Sequence, residues 1–227
     1  MQTLTEIPFQ LDIESLLNRL HVDPETEDAQ ACAAMVHKAR KIGKPKAFYK
    51  EAFIESKGDD TVSIDGVTFT SKVLRLNLDQ VERVFPYIAT CGTELDAINI
   101  APGDFLQGFW LDTIKADLLN SGICYVQELL ERKYRLGKTS AMSPGSGDIN
   151  IWPIEQQRQL FALGGDVEGS IGVRLTDSFL MVPNKSVSGI RFATESNFQS
   201  CQLCHRENCA GRRALFDNKL WESIQND

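Results

Sequence analysis

The apolar residues of this chain change period at Lys46, and that change limits the fold more than any other feature. Up to Gly43 they recur at helical spacing. Asp12 is placed to cap "IESLLNRLH", and "DPETEDAQACAAMVHKARKIG" opens on Asp23, Pro24 and acidic residues and closes on Lys, Arg and Gly43. That order follows the preferences of helix ends for proline, charge and glycine. Ala31, Ala34, Met35 and the stem of Lys38 are expected to share the packed face. From Lys46 to Leu78, "AFYKEAFIE" and "TVSIDGVTFTS" instead carry aromatic and β-branched residues in partial alternation around "SKGDD", the pattern of a hairpin or meander. "VFPYIATCG" reads as a buried strand entering a turn at Gly92. Strands grouped in blocks between helices predict an α+β fold: a largely antiparallel twisted sheet flanked by helices.

The segment Asp104–Arg135 is the longest helical stretch. Phe105, Phe109, Ile114, Leu118, Tyr125, Leu129 and Arg132 fall near one face, with an interruption expected at Asn120–Gly122. Gly122 points to close helix packing or to a ligand against bare backbone. A basic stretch and the loop "TSAMSPGSGDINIWP" follow, then a helix opened by Pro153, then two strands joined around Pro183. The expected division is a helical segment over 1–45, a core over 46–198 and a Cys-rich C-terminal tail over 199–227.

Composition bounds the class. The chain has 227 residues, 42% hydrophobic and 24% charged, and a formal charge of -7. These are the proportions of a soluble globular protein, and the acidic balance argues against nucleic acid as a partner. No basic region followed by an apolar run opens the sequence, and no uncharged apolar stretch reaches roughly 18 residues, so neither a signal peptide nor a membrane span is expected. The expected compartment is the cytoplasm, where clustered thiols signal metal or redox chemistry.

Such a cluster exists in "CQLCHRENCAGRR". Cys201, Cys204 and Cys209 form C-x2-C-x4-C, a spacing that lets thiolates share one metal centre. Three ligands leave a fourth place open, for Cys91, His205, Cys32, Cys124, a partner's side chain or a small molecule. Arg206, Arg212 and Arg213 can lower the thiol pKa values, dock an acidic partner or lie solvated. "SPGSG" can cradle an anion with backbone N–H groups or serve only as a tight turn. No nucleophilic triad is visible, and His21 and His37 read as helix-surface residues.

"SPGSG", "IGVRLTDSFLMVP" and "KSVSGIRF" follow one another over Met142–Phe192 in an order and spacing that resembles the reactivation domain of cobalamin-dependent methionine synthase. That family has a Pro-Gly turn, an apolar helix, an L-T-[ED]-S strand, a Met-x-Pro and an S-V-S-G turn. The resemblance implies a domain that caps a corrinoid during reductive reactivation of cobalt(II), with S-adenosylmethionine as methyl donor. A free-standing version would act on a separate corrinoid protein or corrinoid-dependent methyltransferase. With that task the tail cysteines are expected to hold an iron–sulfur cluster of the 4Fe-4S type; zinc in a docking or sensing module is the alternative. The resemblance places ligand contacts at Ser143, Pro144, Gly145, Ser146, Ser186 and Ser188. It also exposes a departure. The family grips the methionyl end with an Arg four residues before the motif Gly and a Tyr directly after it, and those positions here are Ala141 and Ser146. Lys138 and Arg191 are the cations available to compensate, and S-adenosylmethionine is expected to bind weakly or not at all.

Overall fold

The computed structural model describes residues 1–148, 151–196, 198–209 and 211–226. Positions 149, 150, 197, 210 and 227 lie outside the described residues; 149 and 150 fall in the predicted loop, 197 near the end of the predicted core, and 210 and 227 in the predicted tail. In chain order the elements are β1 (Gln2–Leu4), α1 (Ile13–Leu20), α2 (Glu27–Ile42), β2 (Lys46–Tyr49), β3 (Ala52–Lys57), β4 (Thr61–Ile64), β5 (Val67–Thr70), α3 (Lys72–Asn77), β6 (Arg83–Thr90), α4 (Phe105–Tyr134), β7 (Thr139–Met142), α5 (Gln157–Gly164), α6 (Val167–Ile171), β8 (Arg174–Leu175), β9 (Met181–Val182), β10 (Ser186–Ala193) and α7 (Asn218–Asn226).

The sheet is antiparallel at every described pairing. At its centre lies β6, an almost wholly buried strand. One edge of β6 carries β2 along its end and β3 at its start, and the other carries β10, with β7 beyond. The fold is α+β, as the blocks of strand and helix pattern require. Among the described residues no helix is long and apolar enough to cross a membrane.

Alternation along β6 sorts the core into two faces. Phe85, Tyr87 and Ala89 face α4 through Val126 and Leu130. Val84 packs with Trp152, Leu160 and Phe192, and Ile88 packs with Val167 and Ile171, on the other face. The helix ends obey their local chemistry. The Asp12 carboxylate accepts from Ser15 N at 3.0 Å and the Asp104 carboxylate from Gln107 N at 2.9 Å. These contacts satisfy donors that a helix start leaves orphaned.

Four expectations need correction. Thr26, not Asp23, caps α2, and the buried stripe is Ala29, Cys32, Met35, Val36 and Ala39, leaving Ala31 and Ala34 exposed. The long helix runs unbroken through Asn120–Gly122, because Gly122 is where it lies flat on the sheet: a Cβ there would sit 3.6 Å from Ala89 Cβ and 3.7 Å from Lys46 O. Close packing explains Gly122. Its buried face is Trp110, Leu111, Ile114, Leu118, Gly122, Val126 and Leu130, while Phe105 is 87% exposed. Helices α3 and α7 and strand β7 stand where a strand run, tail and loop were expected.

Candidate functional site

The site expected from "SPGSG" and the S-V-S-G turn forms where β7, β10 and β6 meet. Cross-strand register sets its contents. Gly189 pairs with Tyr87, and Arg191 pairs with Phe85 on one side and with Ala141 on the other. Tyr87, Gly189, Arg191 and Ala141 therefore share the face that looks toward α4. Ala141, where the resemblance would place an arginine, is the direct neighbour of an arginine on the next strand.

The Arg191 side chain is 7% exposed. Its Nη1 donates to Thr139 Oγ1 at 2.9 Å, its guanidinium carbon lies 5.9 Å from the Tyr87 ring centre, and its Nε is buried with no partner. Burial lowers the Arg191 pKa, and Arg213 adds to that, whereas the Tyr87 hydroxyl opposes it. The Tyr87 hydroxyl in turn engages Ser143 and Arg191; burial pushes its pKa up against the pull of Arg191 and Arg213. The result is a desolvated cation with a second arginine nearby.

"SPGSG" is a turn with two glycines at positive φ, Gly145 (+76°) and Gly147 (+95°). Gly145 N donates to Trp152 O at 2.7 Å and Ser146 N to Ser143 O at 3.1 Å, so these two donors are engaged within the fold instead of facing outward. Ser143 is the member of this turn that reaches the Tyr87–Arg191 group. Ser186 and Ser188 lie on the opposite face. Ser188 Oγ donates to Gln157 Oε1, while Ser186 Oγ engages Thr90 Oγ1 at 2.9 Å and Pro183 O at 2.7 Å. Both hydroxyls hold α5 and the turn into β10, and the motif's contribution to the site is Gly189.

The cysteine loop is organised by an arginine. Arg212 Nη1 donates to the carbonyls of Cys201 (3.3 Å) and Ala214 (3.1 Å), and Nη2 to those of Cys204 (3.1 Å) and Arg206. Cys201 Sγ accepts from Arg213 N at 3.4 Å. Among the described residues no three His, Cys, Asp or Glu side chains are grouped to hold one metal ion. Cys201, Cys204 and Cys209 do not form such a group here. His205 is directed elsewhere: its ring centre lies 4.4 Å from that of Phe216 and 4.6 Å from that of Trp221, and its Nδ1 is 3.4 Å from Asp148 Oδ2. Cys91 is fully buried with Cys32 among α1, α2 and α4, in a different cluster from the tail's Leu203. Desolvation pushes its pKa up to about 11. A thiol in that setting is an inert apolar filler, and the expectation of Cys91 as fourth ligand is withdrawn.

These burials give a labelling order. Under anaerobic conditions at pH 8 an alkylating reagent is expected to modify the exposed Cys124 and Cys209 in native protein, and to reach Cys32 and Cys91 only after unfolding. Peptide mass spectrometry reads the pattern. Joint protection of Cys201, Cys204 and Cys209 would restore the metal-bound reading of the tail.

Residues 124–213 match the family model for the activation domain of vitamin B12 dependent methionine synthase. The match covers about two fifths of the chain. A crystal structure of the MetH reactivation domain bound to AdoHcy shares its fold, with a TM-score of 0.62 at 17% sequence identity over 84% of this chain and 69% of that one. No curated protein matches the sequence. The family match extends beyond Met142–Phe192 at both ends, taking in the last third of α4 and the stretch from Cys201 to Arg213.

Proposed function

We propose that this chain assists reactivation of a corrinoid-dependent methyltransferase by docking on a partner that carries the cobalamin, and that it takes an AdoHcy-type ligand against the face of β7 and β10 that carries Ala141 and Arg191. The observation behind this reading is the coincidence of the activation-domain match with the Tyr87–Ser143–Arg191 group on one sheet face. In this role S-adenosylmethionine would supply a methyl cation to cobalt(I), formed on the partner from cobalt(II) by a separate one-electron donor, and leave as AdoHcy. The residues of this chain bind and orient: Arg191 brings fixed charge, Tyr87 and Ser143 bring hydroxyls, and the α4 face brings apolar walls. Electron transfer through the tail cysteines rests on their spacing alone, and no step here passes through a cluster.

The chain has no D-x-H-x-x-G sequence of the kind that corrinoid carriers use, so cobalt arrives with the partner. Purified protein is expected to retain a cobalamin-loaded corrinoid protein on a sensor surface and to release free cobalamin on desalting. Stoichiometric retention of free cobalamin, or no capture of any corrinoid protein in its cobalt(II) state, would count against the proposal.

A further inference from the structure

Helix α7 closes over the core without filling the space beneath it. A cleft of about 790 Å³ lies between α7, α3 and the end of β10, within the range of about 300–1,000 Å³ that small-molecule sites occupy. Val73, Val81, Leu136, Phe198, Leu220 and Ile224 give it apolar walls, and Leu76, which also lines it, is 47% exposed. Small side chains at Ala193 on β10 and Ser223 on α7 leave the space open. The helix is held beside it by polar bonds: Lys72 Nζ donates to Ile224 O at 3.0 Å, and Asp217 N to Gln202 O at 2.8 Å. Apolar surface gathered in one concave place, with polar groups converging on it, is the usual mark of a ligand site. None of Tyr87, Ser143 and Arg191 lines this cleft, so it is separate from the group on the α4 face of the sheet.

The polar side chains that line the cleft share one property: each can accept a hydrogen bond, and none is a cation. Three of them, Asp79, Glu195 and Asp217, are carboxylates brought there by separate segments of the chain. Asp79 is matched by Arg75, whose Nη1 lies 2.7 Å from its Oδ1. Asp217 uses Oδ1 to cap α7, accepting from Leu220 N at 3.1 Å, and has no ion pair among the described residues. Glu195 is exposed, and its carboxylate has no partner among the described residues. The ammonium groups beside the cleft are bonded to main-chain carbonyls, Lys72 to Ile224 O and Lys138 to Glu195 O at 3.1 Å. We propose that the cleft binds a small amphipathic organic cation, with its apolar body against Val73, Leu136, Leu220 and Ile224 and its ammonium toward Glu195 and Asp217. A lining of acceptors and carboxylates repels an anionic head and gives an uncharged one no charge partner. This goes beyond the reading above and does not rest on it. Because α7 forms one wall, an occupant that touches α3 and α7 together favours the docked tail, and binding and tail order are coupled.

The test is calorimetric titration of the full chain with octylammonium chloride, octanol and sodium octanoate, three probes with one apolar body and different heads. Octylammonium is expected to bind about three- to tenfold more tightly than octanol, the gain of ion pairs at a partly solvated rim, and octanoate more weakly than octanol. In a double variant carrying Glu195→Gln and Asp217→Asn, octylammonium and octanol are expected to bind alike; asparagine keeps the cap on α7, so the tail stays folded. Ser223→Trp fills the cleft from α7 and is expected to abolish binding of all three probes. A glutamate-specific protease reads the coupling: saturating octylammonium is expected to slow cleavage after the exposed Glu222 in wild type and not in Ser223→Trp. Octanoate binding as tightly as octylammonium would overturn the proposal, as would a preference for octylammonium that survives the double variant. Failure of all three probes to bind wild type, or binding that Ser223→Trp leaves unchanged, would remove the site from this cleft. An unchanged cleavage rate at saturation would detach α7 from it.

Discussion

Replacing Trp152 with Ala is expected to destabilise the fold by about 3–5 kcal/mol, the usual cost of emptying a fully buried indole site. Trp152 is 0% exposed and meets Phe69 edge to face at a centroid distance of 5.7 Å. Its Nε1 donates to Gln156 Oε1 at 3.1 Å, and the same oxygen accepts from Thr70 N at 2.8 Å. The Trp152 carbonyl also receives Gly145 N. The side chain thus joins β5 and the Gln156 turn to one core, and the backbone of the same residue ties in the "SPGSG" loop. Trp152→Phe keeps most of the packing and leaves Gln156 Oε1 with Thr70, so a loss of about 1–2 kcal/mol is expected. Thermal and denaturant unfolding measure both. A cost below about 1 kcal/mol for the alanine variant would mean that the loop is not anchored in the core as described.

Local chemistry made much of this fold legible in the sequence. Asp12 and Asp104 announce helix starts, since a short acceptor just before an apolar stripe has few other uses. "SKGDD" announces the turn between β3 and β4, whereas the second turn, at Asp65 and Gly66 with both residues at positive φ, lies inside what reads as one strand run. What stayed hidden depends on distance along the chain. Ala141 and Arg191 are separated by 49 intervening residues, and only the register of β7 on β10 makes them neighbours. Read one motif at a time, Ala141 is a lost ligand contact; read in register, it is the gap beside a cation. The tail shows the same limit: spacing offers three thiols to one centre, but says nothing about Arg212, whose guanidinium gathers the Cys201 and Cys204 carbonyls.

The burial of the long helix was misplaced by Phe105 and Phe109. Large aromatics weigh heavily in any reading of periodicity, yet the first turn of α4 projects past the packed region, and the stripe that meets the sheet starts at Trp110 and Leu111. A small residue, Gly122, marks the contact better than any large one, because it is at Gly122 that the helix backbone approaches β2 and β6.

Two glycines on the α4 side of the sheet are expected to respond oppositely to the same methyl group. At Gly122 an added Cβ finds ordinary contacts of 3.6–3.9 Å, so Gly122→Ala gains helix propensity with little strain and is expected to be neutral or to stabilise by up to about 1 kcal/mol. At Gly189 the added Cβ would stand 2.5 Å from Met142 O, 2.8 Å from Ser143 Oγ and 3.3 Å from Tyr87 Cε1. The nearest of these is backbone and cannot rotate away. Relief requires Met142 and Ser143 to move off β10, which parts the start of the "SPGSG" turn from Tyr87. Gly189→Ala is therefore expected to cost about 1–3 kcal/mol of stability, as overpacked positions do. It is also expected to weaken AdoHcy binding while leaving Arg191 in the sequence. The pair separates shape from charge. If Gly189→Ala binds AdoHcy as wild type does, the close approach of Ser143 to Tyr87 is not needed, and recognition rests on the Arg191 guanidinium.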